Sequence, residues 1–310
     1  MNKLKIAMYW LSGCGGCEES FLDLGEDLIT MLERVDIVFW PIAEDVKLRD
    51  LEDMPDGFID FSFLNGAVRT EDHVNMARLL RRKSKNLIAH GSCAHLGGVP
   101  GLSNFFDRDS LIKRAYLDVP SIEKNNPGQQ NIPDHAGLMD RVAALSQIID
   151  VDYYLPGCPT PTDLLKNTID SFMQGDLPPK GTVFGENTSL CGSCHLIDTK
   201  PDRINIIDFK RIHQTDIDPE ICLLAQEIIC LGPATRGGCN AQCIKVNMPC
   251  RGCFGPLEKV SDHGLKILSM VASLIDSGDT DKIKHIVDEI PDPAGLFYRY
   301  SLASSIIKKS

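Results

Sequence analysis

Hydrophobic positions in the first half of the chain follow two periods. Short blocks at Ile6–Leu11, Val35–Trp40, Phe58–Leu64, Asn86–His90 and Val151–Leu155 read as strands. Between the first two, Phe21, Leu24, Leu28, Ile29 and Leu32 recur at helical spacing, which predicts a helix over Glu19–Leu32. Further helices are predicted over Glu71–Arg82, whose basic end suits the helix dipole, and over Gly137–Ile149. Another is predicted over Thr160–Met173, which carries a proline in its first turn. Strands separated by helices in this order imply an α/β fold, a mostly parallel sheet with helices on both faces.

Two stretches break the alternation. Gly97–Pro133 is rich in glycine, proline and polar residues, with a short helix expected around Asp109–Tyr116. It is longer than the loops a compact domain normally carries and reads as a surface excursion serving an interface. After Gly175 the character changes, and Pro178-Pro179 marks a boundary between a domain over residues 1–176 and another over 177–310. Thr182–Cys253 is dense in Cys, Gly and Pro, with regular structure expected only as a strand at Arg203–Asp208 and a short helix at Pro219–Ile229. Helices return at Gly264–Ile275, Asp281–Glu289 and Gly295–Ile307. A segment with so few core-forming runs needs cross-links, which metal centres supply.

Charge and cysteine count narrow the chemistry. The 310 residues carry 43 acidic against 32 basic side chains, a net charge of −11, which argues against a nucleic-acid partner. No window has the apolar length needed to cross a bilayer, and the chain runs from Met1 into its first strand without a targeting segment. A cytoplasmic protein is expected. Twelve cysteines are then the feature to explain, because cytosolic thiols stay reduced and thiols at this density point to metal.

Cys14 and Cys17 follow the first strand in Gly13-Cys14-Gly15-Gly16-Cys17. Cys93 follows the fourth strand and Cys158 the last. All therefore lie beyond the carboxyl ends of predicted parallel strands, where open sheets bind ligands. Four thiolates from three loops suit a cubane cluster or a tetrahedral zinc. A phosphate cradle at the glycine-rich turn lacks the required Lys-Ser/Thr and the dinucleotide spacing. A thioredoxin-like pair at Cys14 and Cys17 leaves Cys93 and Cys158 without a role. The other eight, Cys191, Cys194, Cys222, Cys230, Cys239, Cys243, Cys250 and Cys253, suffice for two more four-thiolate sites. Cys239, Cys243, Cys250 and Cys253 form one compact run, although spacing alone leaves the partition open, since ferredoxin-type sets can exchange a ligand. His195 beside Cys194 reads as a neighbour rather than a ligand, and His90, His95 and His213 carry no more weight. Glu18 and Glu19 fit a proton relay, a partner contact or the ordinary acidic first turn of a helix.

Taken in order, Cys14-Gly-Gly-Cys17-Glu-Glu-Ser20, Gly91-Ser-Cys93, Pro156-Gly-Cys158-Pro159 and the eight-cysteine region resemble the small subunits of nickel–iron hydrogenases over nearly the whole chain. Within that family the chain looks most like the cytoplasmic methyl-viologen-reducing type, which associates with heterodisulfide reductase. The resemblance implies a flavodoxin-like first domain and an irregular iron–sulfur second domain with C-terminal helices. It implies a proximal 4Fe–4S cluster on Cys14, Cys17, Cys93 and Cys158. A medial cluster on Cys239, Cys243, Cys250 and Cys253 and a distal one on Cys191, Cys194, Cys222 and Cys230 follow in the same way. Exported relatives place a histidine where Cys191 stands, and many lack a cysteine matching Cys243 and hold a three-iron medial cluster. All-cysteine four-iron medial and distal clusters are therefore expected here. No flavin is expected, because the proximal cluster would take the sheet edge where flavin sits.

The implied function is electron transfer from a nickel–iron large subunit to a small iron–sulfur or flavin partner and on to a heterodisulfide reductase complex. No hydrogen-splitting site and no catalytic side chains are expected in this chain. Two other readings stand beside it. One is a relay or scaffold in a hydrogenase-like or complex-I-like assembly without nickel–iron, and the other is a zinc-binding interaction module.

Overall fold

The computed structural model describes residues 3–120, 137–275 and 277–307. The first half opens with β1 (Leu4–Trp10), α1 (Gly16–Leu22), α2 (Glu26–Leu32), β2 (Val35–Phe39), α3 (Leu48–Asp53), β3 (Ile59–Asn65) and β4 (Val68–Thr70). It continues through α4 (Glu71–Lys83), β5 (Ser84–His90), α5 (Gly91–Leu96), α6 (Arg108–Lys113), β6 (Leu138–Ala143), β7 (Tyr153–Leu155) and α7 (Thr162–Gln174). With β8 (Thr182–Val183), the main sheet has six strands in the order β2-β1-β3-β5-β7-β8, each pair parallel. The order reverses at β1, so the loops after β1 and β3 leave the sheet in opposite directions and open a crevice at its carboxyl edge.

Alternation along the strands divides the core between the two faces. Ile6, Met8, Phe61 and Phe63 pack against Phe21, Leu165, Ile169 and Phe172 from α1 and α7. Ala7 and Leu64 face the other way, toward Leu79 and Leu80 of α4. Truncating a fully buried Phe21 to alanine would cost about 3–5 kcal/mol.

The second half holds β9 (Glu186–Ser189), β10 (Arg236–Gly237), α8 (Gln242–Lys245), α9 (His263–Ala272), α10 (Thr280–Asp288) and α11 (Pro293–Tyr298), linked by short 3-10 turns. Its core is separate, gathered from Leu190, Ile206, Leu223, Leu231, Ile267 and Phe297 among others. Residues after α11 fold back onto the first half. Gly98 N–H donates to the Tyr300 carbonyl at 3.0 Å, and Ser304 Oγ donates to the Leu96 carbonyl at 3.2 Å. Gly97 (φ 93°) lies so close to Ala303 that an added Cβ would stand 2.3 Å from the alanine methyl.

Several expected elements are corrected. The helix expected over Glu19–Leu32 is two helices, parted at Gly25 with φ 58°. Gly137–Ile149 is not a helix: Leu138–Ala143 pairs antiparallel with β4, and only Leu145–Gln147 makes a 3-10 turn. The Asn104 side chain fixes that strand, donating to the Val142 carbonyl at 2.9 Å and accepting from its N–H at 2.8 Å. The strand expected at Arg203–Asp208 does not form. Ile206 is fully buried there, but its N–H goes to the Leu274 carbonyl rather than to a neighbouring strand. Pro219–Ile229 contributes only the 3-10 turn Leu223–Gln226. Gly295–Ile307 breaks after Tyr298, as the return to Gly98 and Leu96 requires. Of the Gly97–Pro133 excursion, α6 and a following π-type turn at Arg114–Asp118 are seen, and residues 121–133 lie outside the described residues.

Candidate cofactor sites on the cysteine loops

All twelve cysteines are free thiols. The first four come together at the carboxyl edge of the sheet. Cys14 lies in the loop after β1, which is tied down by an antiparallel bridge between Ser12 and Ala67. That crossing needs a glycine at Gly66 (φ 85°), since a Cβ there would stand 2.8 Å from the Leu11 carbonyl carbon. Cys17 opens α1, Cys93 lies in α5 after β5, and Cys158 lies between β7 and α7.

Burial first, and then the neighbouring Cys93, Cys158 and Cys14, push the Cys17 thiol up to about 12. Cys93 is likewise pushed to about 12 by burial and by Cys158 and Cys14. Burial and Cys14 raise Cys158, while the Tyr300 hydroxyl, hydrogen-bonded to its sulfur, pulls the other way. Gly91 makes room for this group, because a Cβ there would meet Cys17 Sγ at 2.2 Å. Cys14 and Cys158 are exposed, so the group opens to the surface beside Trp10, 39% exposed.

The neighbours of the eight remaining thiols run from one set into the next. Burial and then Cys239, Cys158 and Cys243 push Cys253 to about 12. Cys239 is raised by burial and by Cys243, and Cys250 by burial, Cys230 and Cys253. In the third group Cys191 is raised to about 11, chiefly by burial, with Cys194 and Cys222 adding and Lys200 opposing. Cys230 reaches about 12 through burial, with Cys191 and Cys222 adding and the Gly232 and Cys250 backbone opposing. Gly232 sits against this group, its would-be Cβ 3.4 Å from Cys191 Sγ and 3.7 Å from Cys230 Sγ.

The three groups touch in series. Cys250 N–H donates to Cys230 Sγ at 3.4 Å, and Leu231 N–H returns a bond to the Cys250 carbonyl at 3.1 Å. At the other end, Ser92 Oγ, beside Cys93, donates to the Cys253 carbonyl at 2.5 Å, and the Cys158 backbone N–H bonds Cys253 Sγ.

Thiols held this high stay protonated at neutral pH unless a cation takes the proton's place, and metal does that outright. Lys200, beside Cys191, is the one cation that depresses any of the raised thiols described above. The donor set therefore fits a centre that brings its own positive charge. Among the described residues no three Cys, His, Asp or Glu side chains close in on one ion position.

Sequence reasoning left Glu18 with several readings and gave His90 little weight, and it missed Asn65 and His263. Glu18 is 3% exposed and accepts from Asn65 Nδ2 at 3.2 Å. Burial raises its pKa, against the pull of Trp40 and Asn65. His90 is buried between Phe21 and Phe63, its Nε2 3.4 Å from Ser20 Oγ, and His263 Nε2 reaches the Ala234 carbonyl at 3.1 Å. His195 and His213 enter none of the thiol groups through any observed hydrogen bond. The only sequence signal for Ser92 is its place in Gly91-Ser-Cys93.

The family described as NADH ubiquinone oxidoreductase, 20 Kd subunit, matches residues 14–172. The iron-sulfur subunit of the F420-non-reducing hydrogenase of Archaeoglobus profundus is 36% identical, over 99% of this chain and 98% of its own length. The corresponding subunit of the F420-non-reducing hydrogenase of Methanothermobacter marburgensis is 32% identical over 99% and 96%. Among solved structures, an NAD+-reducing [NiFe]-hydrogenase chain in the H2-reduced state aligns with a TM-score of 0.51 and 28% identity, covering 57% of this chain and 94% of that one. The [NiFeSe] hydrogenase of Desulfovibrio vulgaris Hildenborough aligns over 84% of this chain and 95% of its own, with a TM-score of 0.56 at 16% identity, a likeness of fold. With its parallel sheet, its cysteine-bearing loops and full-length relatives that are hydrogenase subunits, the chain belongs to the small-subunit family of the nickel–iron hydrogenases.

Proposed function

We propose that this chain conducts electrons through three 4Fe–4S clusters. Cys14, Cys17, Cys93 and Cys158 would hold the proximal cluster, Cys239, Cys243, Cys250 and Cys253 the medial, and Cys191, Cys194, Cys222 and Cys230 the distal. The observation that carries this reading is the series contact of the three thiol groups, first to second at Ser92 and Cys253 and second to third at Cys250 and Cys230. Bound clusters would supply reversible one-electron storage at each station.

The chain's own residues do the rest. Twelve thiols supply ligands, glycines at 91 and 232 let backbone approach them closely, and the two cores fix the spacing of the stations. The exposed face at Cys14, Cys158 and Trp10 would meet the large subunit, where hydrogen is split at nickel–iron. Electrons would leave near the distal group to a small iron–sulfur or flavin subunit and reach a heterodisulfide reductase complex in the cytoplasm. No helix among the described residues is long and apolar enough to cross a membrane. The carboxyl edge where a flavin would lie is taken by the proximal thiols, so this chain would bind none.

The test is nickel and iron per copy of this chain in the native complex, purified anaerobically. About one nickel, with iron beyond the twelve of three four-iron clusters, supports the hydrogenase relay. Iron without nickel would move the relay to a partner lacking nickel–iron. The match of residues 14–172 to a quinone-oxidoreductase subunit family favours that as the second reading.

A further inference from the structure

The contact between the first and second thiol groups runs through one hydroxyl. Ser92 is 1% exposed and precedes Cys93 at the start of α5. Its backbone N–H donates to the Gly157 carbonyl at 2.7 Å, next to Cys158. Its Oγ lies 2.8 Å from that same carbonyl and 2.5 Å from the carbonyl of Cys253, 161 residues away. One side chain, next to Cys93 in sequence, thus touches the carbonyl of Gly157, beside Cys158, and the carbonyl of Cys253.

We propose that Ser92 is a positioning residue for electron transfer between the proximal and medial clusters, its hydroxyl giving a hydrogen-bonded bridge from the Cys93 and Cys158 loops to Cys253. The inference rests on the cluster assignment proposed above. A hydrogen bond holds donor and acceptor closer than a van der Waals gap and fixes their spacing, and both effects favour transfer across it. The step moves one electron from the reduced proximal centre to the oxidised medial centre. No bond breaks, and Ser92 keeps its proton.

The Gly157 carbonyl accepts from the Ser92 backbone N–H, which alanine keeps, while the single hydroxyl proton is shared between that carbonyl and the carbonyl of Cys253. Ser92→Ala therefore removes the bridge to Cys253 while leaving the Cys93 and Cys158 loops pinned together. Ser92→Thr keeps the hydroxyl and serves as the rescue variant.

The experiment uses the intact complex prepared anaerobically. Iron content and the spectra of all three clusters are recorded first in the wild type; their absence there defeats the cluster assignment itself. With three clusters present, proximal-to-medial transfer is followed after a rapid reductive pulse by freeze-quench EPR, together with the magnetic coupling between the two reduced centres. Ser92→Ala is expected to keep its iron, slow the transfer several-fold and weaken the coupling, with Ser92→Thr recovering both. Unchanged rate and coupling in Ser92→Ala would overturn the proposal. So would loss of medial iron in Ser92→Ala restored by Ser92→Thr, which would make the hydroxyl a tie for the cluster site and not for transfer.

Discussion

The backbone N–H of Cys250 donates to Cys230 Sγ at 3.4 Å, joining the two thiol groups of the second core without any side chain between them. Because a backbone group makes this bond, no substitution at Cys250 removes it except proline. The two groups should nevertheless load independently, since each has its own remaining thiols. Cys222→Ala is expected to abolish the distal EPR signal and leave the medial one. Loss of both signals would show that the partition of the eight cysteines is wrong.

Cys243 is the exposed member of its group. Its replacement by alanine should convert the medial centre to a three-iron form while the other three thiolates hold. EPR of the oxidised protein gives the answer: a three-iron signal in Cys243→Ala and none in the wild type. A three-iron signal in fresh wild-type protein would contradict the four-thiolate assignment.

Gly91 has φ 84° and faces Cys17 Sγ. Gly91→Ala would suffer both the left-handed backbone and the 2.2 Å approach of its methyl to the sulfur. Loss of the proximal cluster alone is expected, read as a one-third drop in iron with medial and distal spectra retained. Full iron in this variant would mean that the glycine does not shape the site.

Asp152 is held by three donors, Arg81, Lys180 at 2.7 Å and the Leu87 N–H at 2.8 Å. Burial raises its pKa, but these bonds outweigh burial and bring it below the usual carboxylate value. A folded-state pKa below the unfolded one stabilises the fold above the unfolded value of about 3.9, and the gain is lost as pH falls through the folded pKa. Asp152→Ala should cost about 3 kcal/mol at neutral pH, because it removes the anion paired with the partly buried Arg81 and leaves the buried Leu87 N–H without its acceptor. Thermal unfolding should show that difference at pH 7 and a smaller one near pH 3.

Histidine acts in the same direction over a higher pH window. Burial holds His90 and His95 down to about 3, with Arg236 and His263 adding at His95. Burial also takes His263 to about 4, against the pull of the Ala234 carbonyl and Asp262. Unfolded histidines gain protons near pH 6.5 that the folded ones refuse, so stability falls as pH drops from about 6.5 toward 4. His90→Gln should flatten the slope of unfolding free energy against pH by one proton in that range. An unchanged slope would show that His90 titrates alike in both states.

The proximal site is legible in the sequence because its cysteines sit at strand ends, and strand blocks with β-branched and aromatic residues are set by their own side chains. Leu138–Ala143 misleads because Leu138, Val142 and Leu145 also fit a helical stripe. Pairing with Val68–Thr70 and the Asn104 amide decides for a strand, and both partners are remote in sequence. Ile204 and Ile206 alternate like a strand, yet no neighbouring strand lies beside them among the described residues, so their side chains fill the second core without a ladder. The partition of the eight cysteines is open in the sequence for a related reason. Cys230 and Cys250 are 20 residues apart and in contact, and Cys253 has Cys158 among its neighbours, so proximity alone does not separate the groups.

The return of Tyr300 and Ser304 to the loop after Cys93 has a consequence for biogenesis. Leu96 and Ser304 are 208 positions apart, so a ribosome must translate far beyond Cys93 before the bond between them can form. Until then Leu96, Gly97 and Gly98, just after Cys93, lack their partners in residues 300–304. The packing of Ala303 against Gly97 therefore joins this segment to the first half only after both have been synthesised.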